Sequence, residues 1–239
     1  MARLKGLSLF ANVGVAEAYL KELGVDIILA NELLEDRAKF YAEVYPETEM
    51  ICGDITDSNI FENIISKSIT SNVDFIIATP PCQGMSKLGL MDPNDVRNQL
   101  TYYAVEAIKR ISPKFVLLEN VPQALTTKIT VDNISMLIPE YISKELANEY
   151  YINDDQRVKA MDYGVPQMRP RCIFLLSRKD TNVRWEFPPS KENQVTLAEA
   201  LKGIPSLDPY LREGIEETLQ LFPDYEVKRQ KGLALSKWH

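Results

Sequence analysis

Apolar residues along the first half of the chain fall into two alternating patterns, short continuous runs and stripes at helical spacing. Leu7-Ser8-Leu9-Phe10 reads as a first strand, and the apolar positions from Val15 to Leu23 as a helix stopped by Gly24. Val25 to Ala30 makes a second strand, and Leu33 to Val44 a helix that ends near Pro46. Met50-Ile51-Cys52 is a short third strand, followed by a helix over Ser58 to Ser68 and a fourth strand over Val73 to Ala78. After a polar loop the pattern predicts a helix from Val96 to Ile111, a fifth strand from Lys114 to Leu118, and another helix opened by Pro122. Strand and helix alternating at this spacing imply an α/β fold, a doubly wound, Rossmann-like and mostly parallel sheet.

The later pattern changes. Tyr150-Tyr151-Ile152 and Val158 to Met161 flank the polar stretch Asn153 to Arg157, and Cys172 to Leu176 is strongly strand-like, so an antiparallel edge is expected. From Pro188 the chain is charged and punctuated by proline, with one amphipathic helix around Leu197 to Leu201. The expected division is therefore a catalytic α/β domain over 1–187 and a C-terminal extension over 188–239.

Composition narrows this further. A chain of 239 residues, 45% hydrophobic, has apolar material for one such domain and too little length for two. Three cysteines without paired spacing, and a sole histidine at the last position, predict neither a metal site nor a disulfide framework, and hence a reducing compartment. No run approaches the roughly 18 apolar residues of a membrane span, so a cytoplasmic protein without membrane contact is expected. The net charge of −7 argues against a polyanionic partner, but its distribution does not. Lys159, Arg169, Arg171, Arg178, Lys179 and Arg184 stand against only Asp162 and Asp180. That stretch reads either as an ordinary solvated face or as a contact for phosphate.

Chemistry is suggested at the ends of the predicted strands, where open α/β sheets bind their ligands. Thr79-Pro80-Pro81-Cys82-Gln83-Gly84 places a thiol just beyond strand four, with two prolines restricting the backbone before it. An isolated cysteine is otherwise most often inert core. The turn Phe10-Ala11-Asn12-Val13-Gly14 follows strand one, Glu32 ends strand two, and Asp54-Ile55 follows strand three. Glu32 is placed to hold ribose hydroxyls, and Asp54 to accept from an adenine amino group while Ile55 covers the ring; either acid alone reads equally as a helix-start charge. Without a Gly-Lys-Ser/Thr or a full Gly-x-Gly-x-x-Gly, phosphate cradling is not evident. A nucleoside lacking phosphates fits better, and S-adenosylmethionine is the common ligand of that kind.

Pro80-Pro81-Cys82-Gln83, Glu119-Asn120-Val121 and Gln167-Met168-Arg169-Pro170-Arg171 occur in that order, and together they resemble the DNA (cytosine-5) methyltransferases. Asp95-Val96-Arg97 followed by Leu100, and Tyr163-Gly164-Val165-Pro166, resemble further segments of that family. The resemblance covers about residues 4 to 176. It implies a methyltransferase fold dependent on S-adenosylmethionine, bound by Leu9, Phe10, Asn12, Gly14, Glu32, Leu33, Asp54, Ile55, Pro80 and Leu100. The family's first motif usually reads Asp-x-Phe-x-Gly-x-Gly-Gly; here Ser8, Asn12 and Val15 stand in place of the Asp, the first Gly and the last Gly. Asparagine tolerates a left-handed backbone, so the turn is expected to survive.

The implied mechanism begins with the cytosine ring, whose C5 is a poor nucleophile until a thiolate adds at C6. Cys82 is the expected nucleophile and Glu119 the group that protonates N3, with Arg171 at the carbonyl oxygen and Arg169 structuring the site. The base must leave the duplex to react. Gln83, Ser86, Lys87 and Arg97 are the expected DNA contacts, in a loop that closes over the flipped nucleotide, while Pro81, Asn120, Val121 and Gln167 hold the site together.

Family members continue into a target-recognition region and a late Gly-Asn motif, and this chain stops at Lys237-Trp238-His239 before either. It resembles the first chain of a split enzyme, whose second polypeptide would carry those parts; a shortened piece of a longer enzyme would read the same way. The expected partner is double-stranded DNA with a flipped cytosine, in a restriction-modification setting. Two alternatives stay open: a tRNA cytosine-5 methyltransferase, and a non-catalytic partner subunit that binds S-adenosylmethionine.

Overall fold

The structure is a computed structural model that describes residues 3–81, 100–191 and 193–203, together with Gln220 and Val227. Residues Met1–Gln194 form one compact unit and Val195–His239 another.

The first unit is built on an eight-stranded sheet. Its strands are β1 (Leu4–Leu9), β2 (Val25–Glu32), β3 (Glu49–Cys52), β4 (Phe75–Ala78) and β5 (Phe115–Asn120), then β8 (Tyr150–Ile152), β9 (Arg157–Lys159) and β10 (Pro170–Arg178). The order is β3-β2-β1-β4-β5-β10-β8, with β9 also paired to β10. The first five strands are mutually parallel, and β10 runs antiparallel to β5, β8 and β9. The predicted architecture, parallel with an antiparallel edge, is therefore the one observed.

Alternation along each strand sorts side chains onto two faces. Leu7, Leu9, Ile76, Ala78, Val116 and Leu118 join one core with residues of α2 (Ser58–Thr70), α3 (Leu100–Ile111) and α4 (Ile138–Leu146). Asp57 starts α2 by accepting from the amides of Asn59 and Ile60, a typical N-cap. The other face is covered differently. Ala30 packs with Ala11 and with Tyr41 of α1 (Glu35–Val44), while Val25, Phe75 and Ile77 form a further cluster against Leu20 and Trp185.

Two predicted helices are not formed. Residues 12–24 are a chain of turns, because Asn12 (φ 52°) and Gly14 (φ 80°) take left-handed backbone at its start. Val15, Tyr19 and Leu23, the stripe that suggested a helix, are 77, 72 and 76% exposed. Burial of such a stripe is what ordinarily stabilises a short helix, and here it is lacking. Pro122 opens only a 3-10 turn, Pro122–Leu125, which leads into a hairpin of β6 (Lys128–Val131) and β7 (Ile134–Leu137). Its turn residues Asp132 and Asn133 have φ of 52° and 63°, the left-handed pair that suits a two-residue hairpin. In the second unit, α5 (Leu197–Ala200) begins at Thr196, whose hydroxyl accepts from the Glu199 amide at 3.2 Å while the Glu199 carboxylate accepts from Thr196 N at 2.8 Å.

Candidate active site

The connection leaves β1 towards β2 on one side, and β4 lies against β1 on the other, so a crevice opens at the carboxyl ends of these strands. A cleft of about 440 Å³ occupies it. Seven of the ten residues expected to bind a cofactor line this cleft: Phe10, Asn12, Glu32, Leu33, Asp54, Ile55 and Leu100. The others lie behind it. Leu9 is wholly in the core, Gly14 is packed against the rings of Tyr41 and Tyr45, and Pro80 is buried, its carbonyl accepting from Asn120.

The turn after β1 is tied to the turn after β2 by Glu32, which is 6% exposed. Its Oε2 accepts from the Asn12 amide at 2.9 Å and its Oε1 from the Leu34 amide at 3.0 Å. Each carboxylate oxygen keeps a further lone pair for a ligand hydroxyl. Phe10 and Asn12 both have positive φ, 59° and 52°, and Asn is the residue type that tolerates this best. Asp54 is exposed at the rim and accepts from the Thr56 amide through Oδ1, while Ile55 is buried beside it.

Sequence reasoning missed Asn31, Leu34, Gly53, Thr79 and Arg37, which also line the cleft. Their signal was positional: Asn31 and Thr79 adjoin strand ends, and Arg37 lies one helical turn beyond Leu33. Asn31 donates to the carbonyls of Ile51 and Gly53, and Thr79 to the carbonyl of Phe10. Both hold strand ends in register around the cleft.

Pro81 also lines the cleft, and Cys82 follows it in the chain. Cys82, Gln83, Ser86, Lys87 and Arg97 lie outside the described residues. What can be seen is the support beside them. Asn120, at the end of β5, donates through Nδ2 to the Pro80 carbonyl at 3.2 Å and accepts from the Val121 amide at 2.8 Å. Glu119 precedes it, opposite Ile173 in the antiparallel register of β10. That register brings Arg171 to Glu119, with Nε 2.7 Å from Oε1 and both side chains less than a third exposed. Burial pushes the Glu119 carboxyl above its ordinary value, against a smaller opposing pull from the charge of Arg169. Arg169 itself is exposed, as is Gln167, whose carbonyl accepts from the Arg169 amide at 2.9 Å.

The basic stretch is divided by the fold. Arg178 pairs with Asp180, Arg184 lies 4.9 Å over the Tyr151 ring, and Lys179 donates to the Ala147 carbonyl, so these three cations serve the edge of the sheet. Lys159 and Arg169 remain exposed. A larger cavity of about 550 Å³ lies at the opposite end of β2, lined by Val25 to Ile28, and none of the expected catalytic or cofactor residues reaches it. Among the described residues no group of three or more His, Cys, Asp or Glu is arranged to hold a metal ion. No helix among them is long and apolar enough to cross a membrane.

The sheet order and the strand-end cleft define an α/β fold of the methyltransferase kind. The model of the C-5 cytosine-specific DNA methylases matches residues 4–234, and the chain belongs to that family. It is 39% identical over 218 residues to the Type II methyltransferase M1.HgaI of Avibacterium volantium, covering 89% of this chain and 60% of that protein. To the Type II methyltransferase M.DdeI of Desulfomicrobium norvegicum it is 34% identical over 207 residues, covering 84% and 48%. Among solved structures, a putative DNA modification methyltransferase encoded within an Escherichia coli prophage superposes with a TM-score of 0.67 at 27% identity, over 85% of this chain and 56% of that one. The chain thus spans about half of the length of the relatives it matches.

Proposed function

We propose that these residues form the catalytic and cofactor-binding part of an enzyme that transfers a methyl group from S-adenosylmethionine to C5 of a flipped-out cytosine in DNA, through a covalent adduct at Cys82. The observation that carries this reading is the Glu119–Arg171 pair. N3 and O2 are adjacent atoms on one edge of cytosine, and a carboxyl and a guanidinium 2.7 Å apart can address both together. The raised carboxyl of Glu119 suits a group that must give a proton to N3, and the guanidinium of Arg171 suits the oxygen where negative charge grows.

The cleft's own groups fit the cofactor. Glu32 offers acceptor capacity to ribose hydroxyls, Asp54 keeps Oδ2 for an amino group, and Leu33 and Ile55 give an apolar surface for a purine. When bound, S-adenosylmethionine supplies a methyl group on positively charged sulfur. The chain's residues do the rest. The Cys82 thiolate adds to C6 as Glu119 protonates N3, which makes C5 nucleophilic. After C5 is methylated, a base removes its proton and the thiolate leaves.

Sequence recognition is supplied by further polypeptide, either a second chain or the remainder of a longer one, carrying the target-recognition region and the late Gly-Asn motif. The length of the relatives supports this, as does the apolar stripe of Val15, Tyr19 and Leu23 left open to solvent. The test is a mechanism-based trap. DNA containing 5-fluorocytosine, with S-adenosylmethionine and the companion polypeptide, should become bonded to the protein, and the adduct should vanish with Cys82→Ala. Absence of an adduct in the unaltered protein would overturn the mechanism, and labelled methyl transfer to tRNA rather than DNA would overturn the substrate.

A further inference from the structure

Ser8 points to the face of the sheet opposite Leu7 and Leu9, and it is 2% exposed. Its hydroxyl donates to Oε1 of Glu17, which is 3% exposed and comes from the turn segment that follows. Among the described residues the second carboxyl oxygen of Glu17 is buried without a hydrogen-bond partner, and so is the hydroxyl of Tyr41. The Glu17 carboxyl and the Tyr41 hydroxyl face each other in the interior. Burial pushes the Glu17 carboxyl above its ordinary value, the hydrogen bond from Ser8 being the largest opposing pull.

The cluster stands directly behind the turn that forms one wall of the cofactor cleft. Tyr45 donates to the Gly14 carbonyl at 2.6 Å, and the Tyr41 and Tyr45 rings, 4.8 Å apart, press so closely on Gly14 that a Cβ there would stand 2.1 Å from Tyr45 Cε2. On the front of the same turn are Phe10 and Asn12, which line the cleft. Glu17 does not line the cleft and cannot touch a ligand in it.

We propose that Glu17 is a positioning residue for the cofactor: by accepting from Ser8 on β1 and filling the interior beside Tyr41 of α1, it fixes from behind the turn whose front carries Phe10 and Asn12. The inference rests on the reading of the cleft as the S-adenosylmethionine site.

The experiment is titration calorimetry of S-adenosylmethionine into the purified protein, alongside thermal melting. Glu17→Gln keeps an acceptor for the Ser8 hydroxyl and should bind within about threefold of the unaltered protein. Glu17→Ala should bind at least tenfold more weakly, and Ser8→Asp combined with Glu17→Ala should recover most of the loss by offering the carboxyl from the strand. Unchanged affinity in a folded Glu17→Ala variant, even with a lowered melting temperature, would overturn the inference, because the residue would then be structural only. If Glu17→Ala does not fold, Ser8→Ala removes a single oxygen and should still weaken binding several-fold; unaltered affinity in that variant would overturn it equally. No binding by the unaltered protein would instead sink the cofactor reading itself, and this inference with it.

Discussion

Arg171 places its Nε 2.7 Å from Oε1 of Glu119, although 52 positions separate them in the chain. The antiparallel pairing of β10 on β5 makes the contact, since it sets Cys172 opposite Asn120 and Ile173 opposite Glu119. The carboxyl therefore has an ionic partner before any substrate arrives, and each group helps to orient the other.

Glu119→Gln should keep the fold and lose turnover by about a hundredfold to ten-thousandfold, the usual range for a positioned proton donor. Arg171→Lys should also fail to restore normal rates, because a point charge does not reproduce the planar fork of guanidinium. Labelled methyl transfer with the companion polypeptide present, together with a melting curve for each variant, checks both.

Glu17 and Glu119 are each raised by burial. In the native state both hold a proton to higher pH than they do in the unfolded chain, where a glutamate titrates near about 4.3. The stability they contribute is complete below that value and declines as pH rises through their native values, since the native state binds more protons across that window. Tyr41 and Tyr45 face Glu17, while Arg169 and Arg171 face Glu119. Urea midpoints measured from pH 4 upward should fall less steeply in Glu17→Gln than in the unaltered protein.

Asn12→Gly should be tolerated and Asn12→Val should not, because the backbone at φ 52° suits glycine and penalises a β-branched residue by about 1–2 kcal/mol. Gly14→Ala should be worse than either. It adds a methyl group 2.1 Å from a Tyr45 ring atom at a position whose φ is 80°. Melting temperature and cofactor affinity should fall together in this series.

Glu32 and Asp54 should separate. Glu32→Gln replaces one acceptor by an NH₂ group that faces a backbone amide, leaving a buried donor unpaired at about 1–3 kcal/mol, so stability and cofactor binding should both suffer. Asp54→Asn retains an acceptor for the Thr56 amide and should weaken cofactor binding with little change in melting. Equal melting losses in the two variants would contradict the different burial of these acids.

Much of the framework was legible before the structure. The runs at Leu7, Val25, Met50, Val73 and Lys114 became β1 to β5, because continuous apolar stretches of that length are buried on both faces of a parallel sheet. The cleft residues Asn12, Glu32 and Asp54 were legible for a related reason: each sits at a strand's carboxyl end, and parallel strands bring those ends together. The hairpin β6–β7 was overlooked because its signal, Asp132-Asn133, is a turn between two half-exposed strands with little apolar periodicity. The helix expected after Gly14 did not form, since helical spacing states a preference that burial must still satisfy.

The chain alone determined the five parallel strands, which of their ends carry acids, and the order Pro80-Pro81-Cys82, Glu119-Asn120, Arg169-Arg171, because local periodicity and side-chain chemistry reside in neighbouring residues. Only the tertiary structure decided that Arg171 grips Glu119, that Asn120 holds the Pro80 carbonyl, and that Glu17 fills the interior beside Ser8. Those contacts depend on strand register and on which face each side chain takes, and a shift of one residue along β10 would undo the first of them.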